Sequence, residues 1–216
     1  KQEKITTDII DEAIDRVIMG PAKKSKKYSE KERYMVAVHE TGHAIVGIKL
    51  ESADKVQKVT IIPRGDAGGY NLMTPREETC TQSRSDLIGK ITGYLGGRVA
   101  EEIVFDEIST GAYADIQSAT KIARAMVMSY GMSNLGPIQY ENGGQDNVFL
   151  GRDYSSSQNY SGEIAFEIDK EVRRIIDEAY EEARQLILDN RDLLDRIVDE
   201  LLEHETLTAE QIERIV

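Results

Sequence analysis

The chain has 216 residues, of which 40% are hydrophobic and 31% are charged, and its formal net charge at pH 7 is -12. Such an acidic chain repels phosphate backbones, so nucleic acid is not an expected partner. Its single cysteine, Cys80, excludes an internal disulfide framework and is typical of a reducing compartment.

The first two predicted elements are helices. Apolar residues from Ile9 to Ile18 recur at helical spacing, and Gly20 with the following proline ends the pattern. A lysine-rich stretch at 23–27 is interpreted as a solvated linker. The S-x-x-E capping box that begins at Ser29 then predicts the start of a second helix.

Two short strands are predicted next, followed by helices to the C-terminus. Alternating residues at 56–61 predict the first strand, and a shorter strand led in by glycines is predicted at 67–75. Helical patterns follow at 85–105, with an expected break at Gly96-Gly97, and then at 115–131, 161–190, 193–204 and beyond a capping box at 208–211; residues 141–159 read as a long loop. The predicted fold class is mainly α, with a small β-sheet beside the second helix.

The stretch "HETGH", His39 to His43, is the clearest functional signal. Histidines four residues apart share one helix face, so both imidazoles can bind one zinc ion, and this face is the apolar stripe of the helix. Glu40 is rotated by about 100° and stands where a base can act on water. The glycines at 42 and 47 each cost about 1 kcal/mol in a helix interior, so we expect another part of the chain to approach closely there. The alternative is a pair of structural core histidines.

A catalytic zinc requires a third protein ligand, and the spacing of residues leaves several candidates open. Glu102 and Asp106 form an E-x-x-x-D pattern, and Asp115 begins a helix behind a turn of small residues. His204 lies in an acidic helix and is more typical of a surface residue. Spacing alone does not choose between Glu102 and Asp115.

Seven segments, in order along the chain, carry a more specific signal. They read "HETGHA", "VTIIPRGDAGGY", "ITGYLGGRVAEEIVF", "STGAYADIQSAT", "MSNLGPIQY", "FLGRDYSSSQNYS" and "EIDKEVRRIIDEAYEEA". Together they resemble the peptidase domain of the FtsH family, the membrane-anchored AAA+ zinc proteases of bacteria. The resemblance covers residues 28–216, and residues 1–27 resemble the C-terminal end of the ATPase module and its linker.

The resemblance implies a helical zinc-metallopeptidase domain that binds one Zn²⁺ per chain. It implies that His39, His43 and Asp115 are the metal ligands and that Glu40 is the catalytic general base. Glu102 then becomes a structural carboxylate close to the site. The family also binds unfolded polypeptide as an added strand, beside an edge strand near the zinc.

The stretch that matches this substrate-binding segment is Ala67, Gly68, Gly69 and Tyr70. Glycines there let a substrate backbone approach closely, although the same residues also suit a hinge or hairpin.

Two positions depart from the family pattern. Thr41 stands where the family usually has alanine, and Ala114 stands where it usually has asparagine, directly before the ligand aspartate. We expect the loss of that amide to weaken the turn that orients Asp115.

By resemblance, the chain is the zinc endopeptidase domain of an ATP-dependent protease that hydrolyses unfolded or misassembled proteins. No G-x-x-x-x-G-K-[ST] motif occurs in it, so ATP is expected to act only through a separate ATPase module. The expected assembly is a homo-hexamer on the cytoplasmic face of the bacterial inner membrane. The sequence begins at Lys1 and has no long apolar run, so a soluble fragment of a longer protein is expected. The alternatives are a self-sufficient zinc peptidase and a non-catalytic helical assembly module.

Overall fold

A computed structural model describes residues 5–23, 28–65, 67–140 and 160–216. The helices are α1 (Thr7–Ile18), α2 (Glu30–Lys49), α3 (Arg84–Phe105), α4 (Tyr113–Met128), α5 (Gly162–Asp189), α6 (Arg191–His204) and α7 (Ala209–Ile215), and the strands are β1 (Lys55–Thr60), β2 (Tyr70–Thr74) and β3 (Thr206–Thr208). A 3₁₀ turn at Thr110–Ala112 precedes α4. The predicted loop at 141–159 and most of the predicted linker, 24–27, lie outside the described residues. Within the described ranges, no helix is long and apolar enough to cross a bilayer.

Capping boxes set the start of the helices where the sequence predicts them. The Ser29 hydroxyl accepts a hydrogen bond from the Glu32 backbone N–H at 3.2 Å, and the Glu32 carboxylate accepts one from the Ser29 backbone at 3.0 Å. The box at Thr208 also forms and begins α7. These contacts fix the register of α2, and therefore the face on which its histidines lie.

The sheet is antiparallel, with the strand order β2-β1-β3. Val59 at its centre is fully buried and pairs with Asn71 on one side and Leu207 on the other. The two predicted strands are confirmed, whereas β3 was not predicted because three residues are too few to show an alternating pattern. β2 forms an edge of this sheet, beside α2.

Helices α2 and α3 cross at a pair of glycines. A Cβ atom on Gly42 would lie 2.3 Å from the carbonyl oxygen of Gly96, and one on Gly96 would lie 2.6 Å from the oxygen of Gly42. The close approach predicted at Gly42 is therefore confirmed. The predicted break at Gly96-Gly97 is wrong, because α3 is continuous and its glycines serve helix contact instead of helix termination.

The core consists of two clusters that share α3. Ile45, Leu194 and Leu201 lie in the first, which α2, β1, α3 and the C-terminal elements enclose. Ile91 and Met126 lie in the second, between α3, α4 and α5. Burial of these side chains fixes α2 and α4 on α3, and the predicted mainly α fold with a small sheet is confirmed.

Helix α1 contacts β1 and the connection between β1 and β2 through ion pairs. The buried guanidinium of Arg64 donates to Glu12 at 2.5 Å, and Lys58 donates to Asp15 at 2.5 Å. The outer face of α1 exposes apolar side chains, including Val17.

Candidate metal centre

Helix α2 brings both histidines of the H-E-x-x-H segment to one place. The Nε2 atoms of His39 and His43 lie 3.1 Å apart, one turn from each other along the helix. Both side chains are almost completely buried, with 12% and 11% exposed. The prediction that the imidazoles point inward is confirmed.

Helix α4 adds the carboxylate of Asp115. Its Oδ2 lies 3.3 Å from Nε2 of His39 and 3.6 Å from Nε2 of His43. In the described residues, these three side chains form one group with the spacing of metal ligands. The alternatives that spacing left open lie elsewhere: Glu102 accepts from the Tyr180 hydroxyl, and His204 is half-exposed beside Glu200.

Hydrogen bonds at the other ring nitrogens leave both Nε2 atoms directed at the centre of this group. Nδ1 of His39 donates to Glu101 at 2.7 Å, and Nδ1 of His43 donates to the carbonyl oxygen of Gly93 at 2.8 Å. Both partners are acceptors, so each Nδ1 carries a hydrogen, and each ring in its neutral form presents a lone pair at Nε2. The two Nε2 lone pairs and the Asp115 carboxylate oxygen converge on one point. Because these electron-rich atoms repel one another, a cation or a proton must lie between them.

Glu101 connects the two helices that carry the ligands. It is 2% exposed, and its second carboxylate oxygen accepts the backbone N–H of Ser109 at 2.9 Å. The carbonyl oxygen of Ser109 accepts a hydrogen bond from Arg98 at 2.9 Å, directly before the turn that leads into α4. One side chain of α3 therefore orients His39 and the start of the helix that carries Asp115.

The resemblance implied that Glu102 lies close to the site, but the carboxylate that contacts His39 belongs to the preceding residue, Glu101. Adjacent helical residues differ by about 100° in direction, so Glu101 faces His39 while Glu102 faces Tyr180. A usable signal was present, because Gly93, Gly97 and Glu101 follow at four-residue intervals and share one face of α3.

The two departures from the family pattern do not displace the ligands. Ala114 is exposed, and Asp115 still reaches both imidazoles because Ser109 holds the preceding turn. Thr41 is fully buried.

The charges of the group favour a cation. Burial opposes ionisation of Asp115, but its close contacts with the imidazoles of His39 and His43 hold its pKa well below the usual range. Burial alone would lower the pKa of His39; hydrogen bonds to Asp115 and Glu101 outweigh it and raise that pKa to about 10. Without metal, a proton on His39 therefore takes the place of a cation.

The separations fit zinc. Four tetrahedral ligands at about 2.0–2.1 Å from a zinc ion lie about 3.3 Å from one another. The three measured separations, 3.1, 3.3 and 3.6 Å, match that spacing. Two imidazoles and one carboxylate are also a ligand set that zinc prefers when one position stays open for water or substrate.

Glu40 lies beside the ligand group with its carboxylate held from β2. The side chain amide of Asn71 donates to Oε2 of Glu40 at 2.7 Å and to its backbone oxygen at 3.0 Å. Burial raises the pKa of Glu40, whereas the nearby histidines and Asn71 act in the opposite direction. A buried carboxylate with a raised pKa suits a group that accepts and returns a proton.

Comparison with known proteins places this site in a family. The pattern of peptidase family M41 matches residues 26–215. The chain belongs to peptidase family M41. It is 58% identical over 211 residues to "ATP-dependent zinc metalloprotease FtsH" of Acholeplasma laidlawii, covering 98% of this chain and 33% of the relative. It is 56% identical over 216 residues to the protein of the same name in Bacillus subtilis, covering 100% of this chain and 34% of the relative.

These matches confirm the resemblance to the FtsH peptidase domain and the metallopeptidase class at the level of the family. "ATP-dependent zinc metalloprotease FtsH 2" of Phytoplasma mali is 54% identical over 212 residues, covering 98% of this chain and 29% of the relative. The chain thus spans about a third of the length of the curated relatives it matches.

The predicted substrate-binding stretch of this M41 domain lies mostly in the turn before β2. Ala67 forms an isolated bridge with Arg64, and Tyr70 is the first residue of β2. Gly68 and Gly69 lie in the turn, and a Cβ atom on Gly69 would lie 2.5 Å from the Thr60 oxygen and 2.9 Å from Glu40. Substrate binding at these residues stays a prediction.

Zinc binding to this M41 site is expected to release about one proton per ion at about pH 7.5. His39 has a pKa of about 10 without metal, so its proton must leave before Nε2 can bind zinc. The affinity for zinc should therefore rise with pH up to that value. Calorimetric titration in buffers of different ionisation enthalpy measures the released proton, and an enthalpy independent of the buffer would contradict the expectation.

Proposed function

We propose that this chain is the zinc endopeptidase part of an ATP-dependent, membrane-anchored protease and hydrolyses peptide bonds in unfolded or misassembled proteins. The observation that carries the proposal is the convergence of ligand atoms from His39, His43 and Asp115 beside the buried Glu40. The printed name of the relatives, ATP-dependent zinc metalloprotease FtsH, supports both the metal and the reaction class.

In the proposed mechanism, His39, His43 and Asp115 would hold one zinc ion, and Glu40 would transfer a proton from the attacking water to the leaving group. Bound zinc supplies a Lewis acid that polarises the scissile carbonyl and acidifies water. Glu40 accepts a proton from the attacking water and returns it to the departing amine nitrogen. Glu101 keeps the hydrogen on Nδ1 of His39, so that Nε2 stays available as a ligand.

We further propose that this chain is part of a longer protein, because it spans about a third of the curated relatives that it matches. We assign residues 1–27 to the end of an ATPase module and its linker, and residues 28–216 to the peptidase domain; the family pattern that begins at residue 26 supports this boundary. The ATPase module would unfold and deliver substrates, and six copies would form a ring. The full-length protein would be anchored in the bacterial inner membrane with this domain on the cytoplasmic side.

The test is the zinc content per chain after zinc loading and extensive dialysis, with His43→Ala as the matched variant. About one zinc per chain in the parent and almost none in the variant is the expected result. Equal, substoichiometric zinc in both would contradict the metal site and favour the helical assembly module, which also predicts that a chelator leaves the fold unchanged.

A second assay separates the proposed function from a self-sufficient peptidase. Hydrolysis of unfolded casein by the zinc-loaded chain is compared with hydrolysis by the full-length protein with ATP. The proposal expects ATP to accelerate hydrolysis of stably folded substrates by the full-length protein. If the chain alone hydrolysed folded proteins as fast as the full-length protein does with ATP, the self-sufficient peptidase would be favoured.

A further inference from the structure

We propose that Asn71 is a positioning residue that holds the carboxylate of Glu40 in its working orientation. The inference rests on the proposed function, because it assigns the position of the general base to a side chain outside the H-E-x-x-H segment.

The amide of Asn71 has one possible orientation at Glu40. Its Nδ2 lies 2.7 Å from Oε2 of Glu40 and 3.0 Å from the Glu40 backbone oxygen. Both neighbours are acceptors, so the NH₂ group must face them, and each of its two hydrogens has one acceptor. Together the two bonds fix the side chain of Glu40 relative to its own backbone.

Strand β2 holds Asn71 rigidly against α2. Asn71 pairs with the fully buried Val59 of β1, the central strand of the sheet. Just beyond the end of β2, Arg76 donates to the Gly47 oxygen at 2.7 Å and to the Ala53 oxygen at 3.0 Å. The strand is thus paired with β1 and bonded to α2 just beyond its C-terminal end, and a group fixed on a rigid element positions its partner accurately.

The turn before β2 closes the other side of the carboxylate. A Cβ atom on Gly69 would lie 2.9 Å from both Cγ and Oε1 of Glu40. The side chain of Glu40 is therefore packed against the backbone on one side and bonded to Asn71 on the other. Among the described residues, Asn71 is the one hydrogen-bond donor to this carboxylate.

Packing alone does not explain an asparagine here. Its Oδ1 is buried and has no hydrogen-bond partner among the described residues. An unpaired buried acceptor is unfavourable, and a leucine would fill similar space without one. The amide is therefore best explained by the donor that it offers to Glu40.

The experiment compares Asn71→Leu with Thr74→Val, a control on the opposite face of the same strand. Thr74 accepts a hydrogen bond from Gln57 at 2.8 Å, so the control also removes one side-chain hydrogen bond. For Asn71→Leu, kcat for casein hydrolysis should fall about tenfold to a hundredfold, with KM within about twofold of the parent. Zinc content should stay at that of the parent, and the control should keep the parent's kcat, KM and zinc content. Rates are measured on the zinc-loaded chain and on the full-length protein with ATP.

Each other outcome overturns the proposal in a recognisable way. An unchanged kcat would show that Glu40 does not need Asn71, a raised KM alone would assign Asn71 to substrate binding, and lost zinc would assign it to the metal site. If Asn71→Leu does not fold, Asn71→Ser provides the same comparison, because the serine side chain is too short for its hydroxyl to reach the carboxylate of Glu40. If the parent hydrolysed no casein, neither as the zinc-loaded chain nor as the full-length protein with ATP, the proposed function itself would be refuted.

Discussion

Replacement of Glu40 by glutamine is expected to leave about one zinc per chain and to reduce peptide hydrolysis by a factor of about 10² to 10⁴. Glutamine has the same shape as glutamate, and its carbonyl oxygen can still accept the hydrogen bond from Asn71, so the fold should persist. The amide cannot accept the proton of the attacking water. Zinc should remain because Glu40 contributes no atom to the ligand group.

The matched control for this variant is Glu102→Gln. It removes one negative charge from the neighbouring helix, where the carboxylate contacts Tyr180 and lies outside the ligand group. The control should keep the activity and the zinc of the parent. Loss of zinc from Glu40→Gln would make Glu40 a ligand, and hydrolysis at the parent rate would require a different base.

The sequence predicted best the features that depend on local pattern. The capping boxes at Ser29 and Thr208, and the position of both histidines on the inner face of α2, follow from residues within one or two helical turns. The glycine at 42 also indicated a close contact, because glycine is unfavourable in a helix interior unless another chain segment needs the space.

The features that the sequence did not resolve depend on tertiary packing. Spacing left Glu102 and Asp115 equivalent as third ligands, since nothing local shows that α4 packs across α3 with its first turn beside α2. The same packing decides that Glu101 and not Glu102 meets His39. Resemblance to a family supplied Asp115, whereas Asn71 reaches Glu40 through a strand pairing that no motif marks.

The second large effect is expected from Gly97→Ala, which should weaken zinc binding about a hundredfold or more. A Cβ atom on Gly97 would lie 2.6 Å from Nε2 of His39 and 2.6 Å from Nε2 of His43, where α3 faces the ligand group. Neither ring can turn away freely, because Glu101 and the Gly93 oxygen hold the two Nδ1 atoms. The added methyl group must therefore displace the metal or break one of these hydrogen bonds.

Gly93→Ala is the control, since Gly93 lies one turn earlier on the same face of α3 and a Cβ atom there meets nothing within 4 Å. It should bind zinc like the parent and gain up to about 1 kcal/mol of stability from the higher helix propensity of alanine. Metal-free Gly97→Ala should still fold, because the methyl group meets side-chain ring atoms and one broken imidazole hydrogen bond relieves the clash. At Gly42 a methyl group would instead meet the Gly96 backbone at 2.3 Å and push the helices apart. Competition with a chromophoric chelator measures the affinity, and thermal unfolding of the metal-free proteins measures the fold. Parent-like zinc affinity in Gly97→Ala would mean that the two Nε2 atoms do not bind zinc on the side that faces α3.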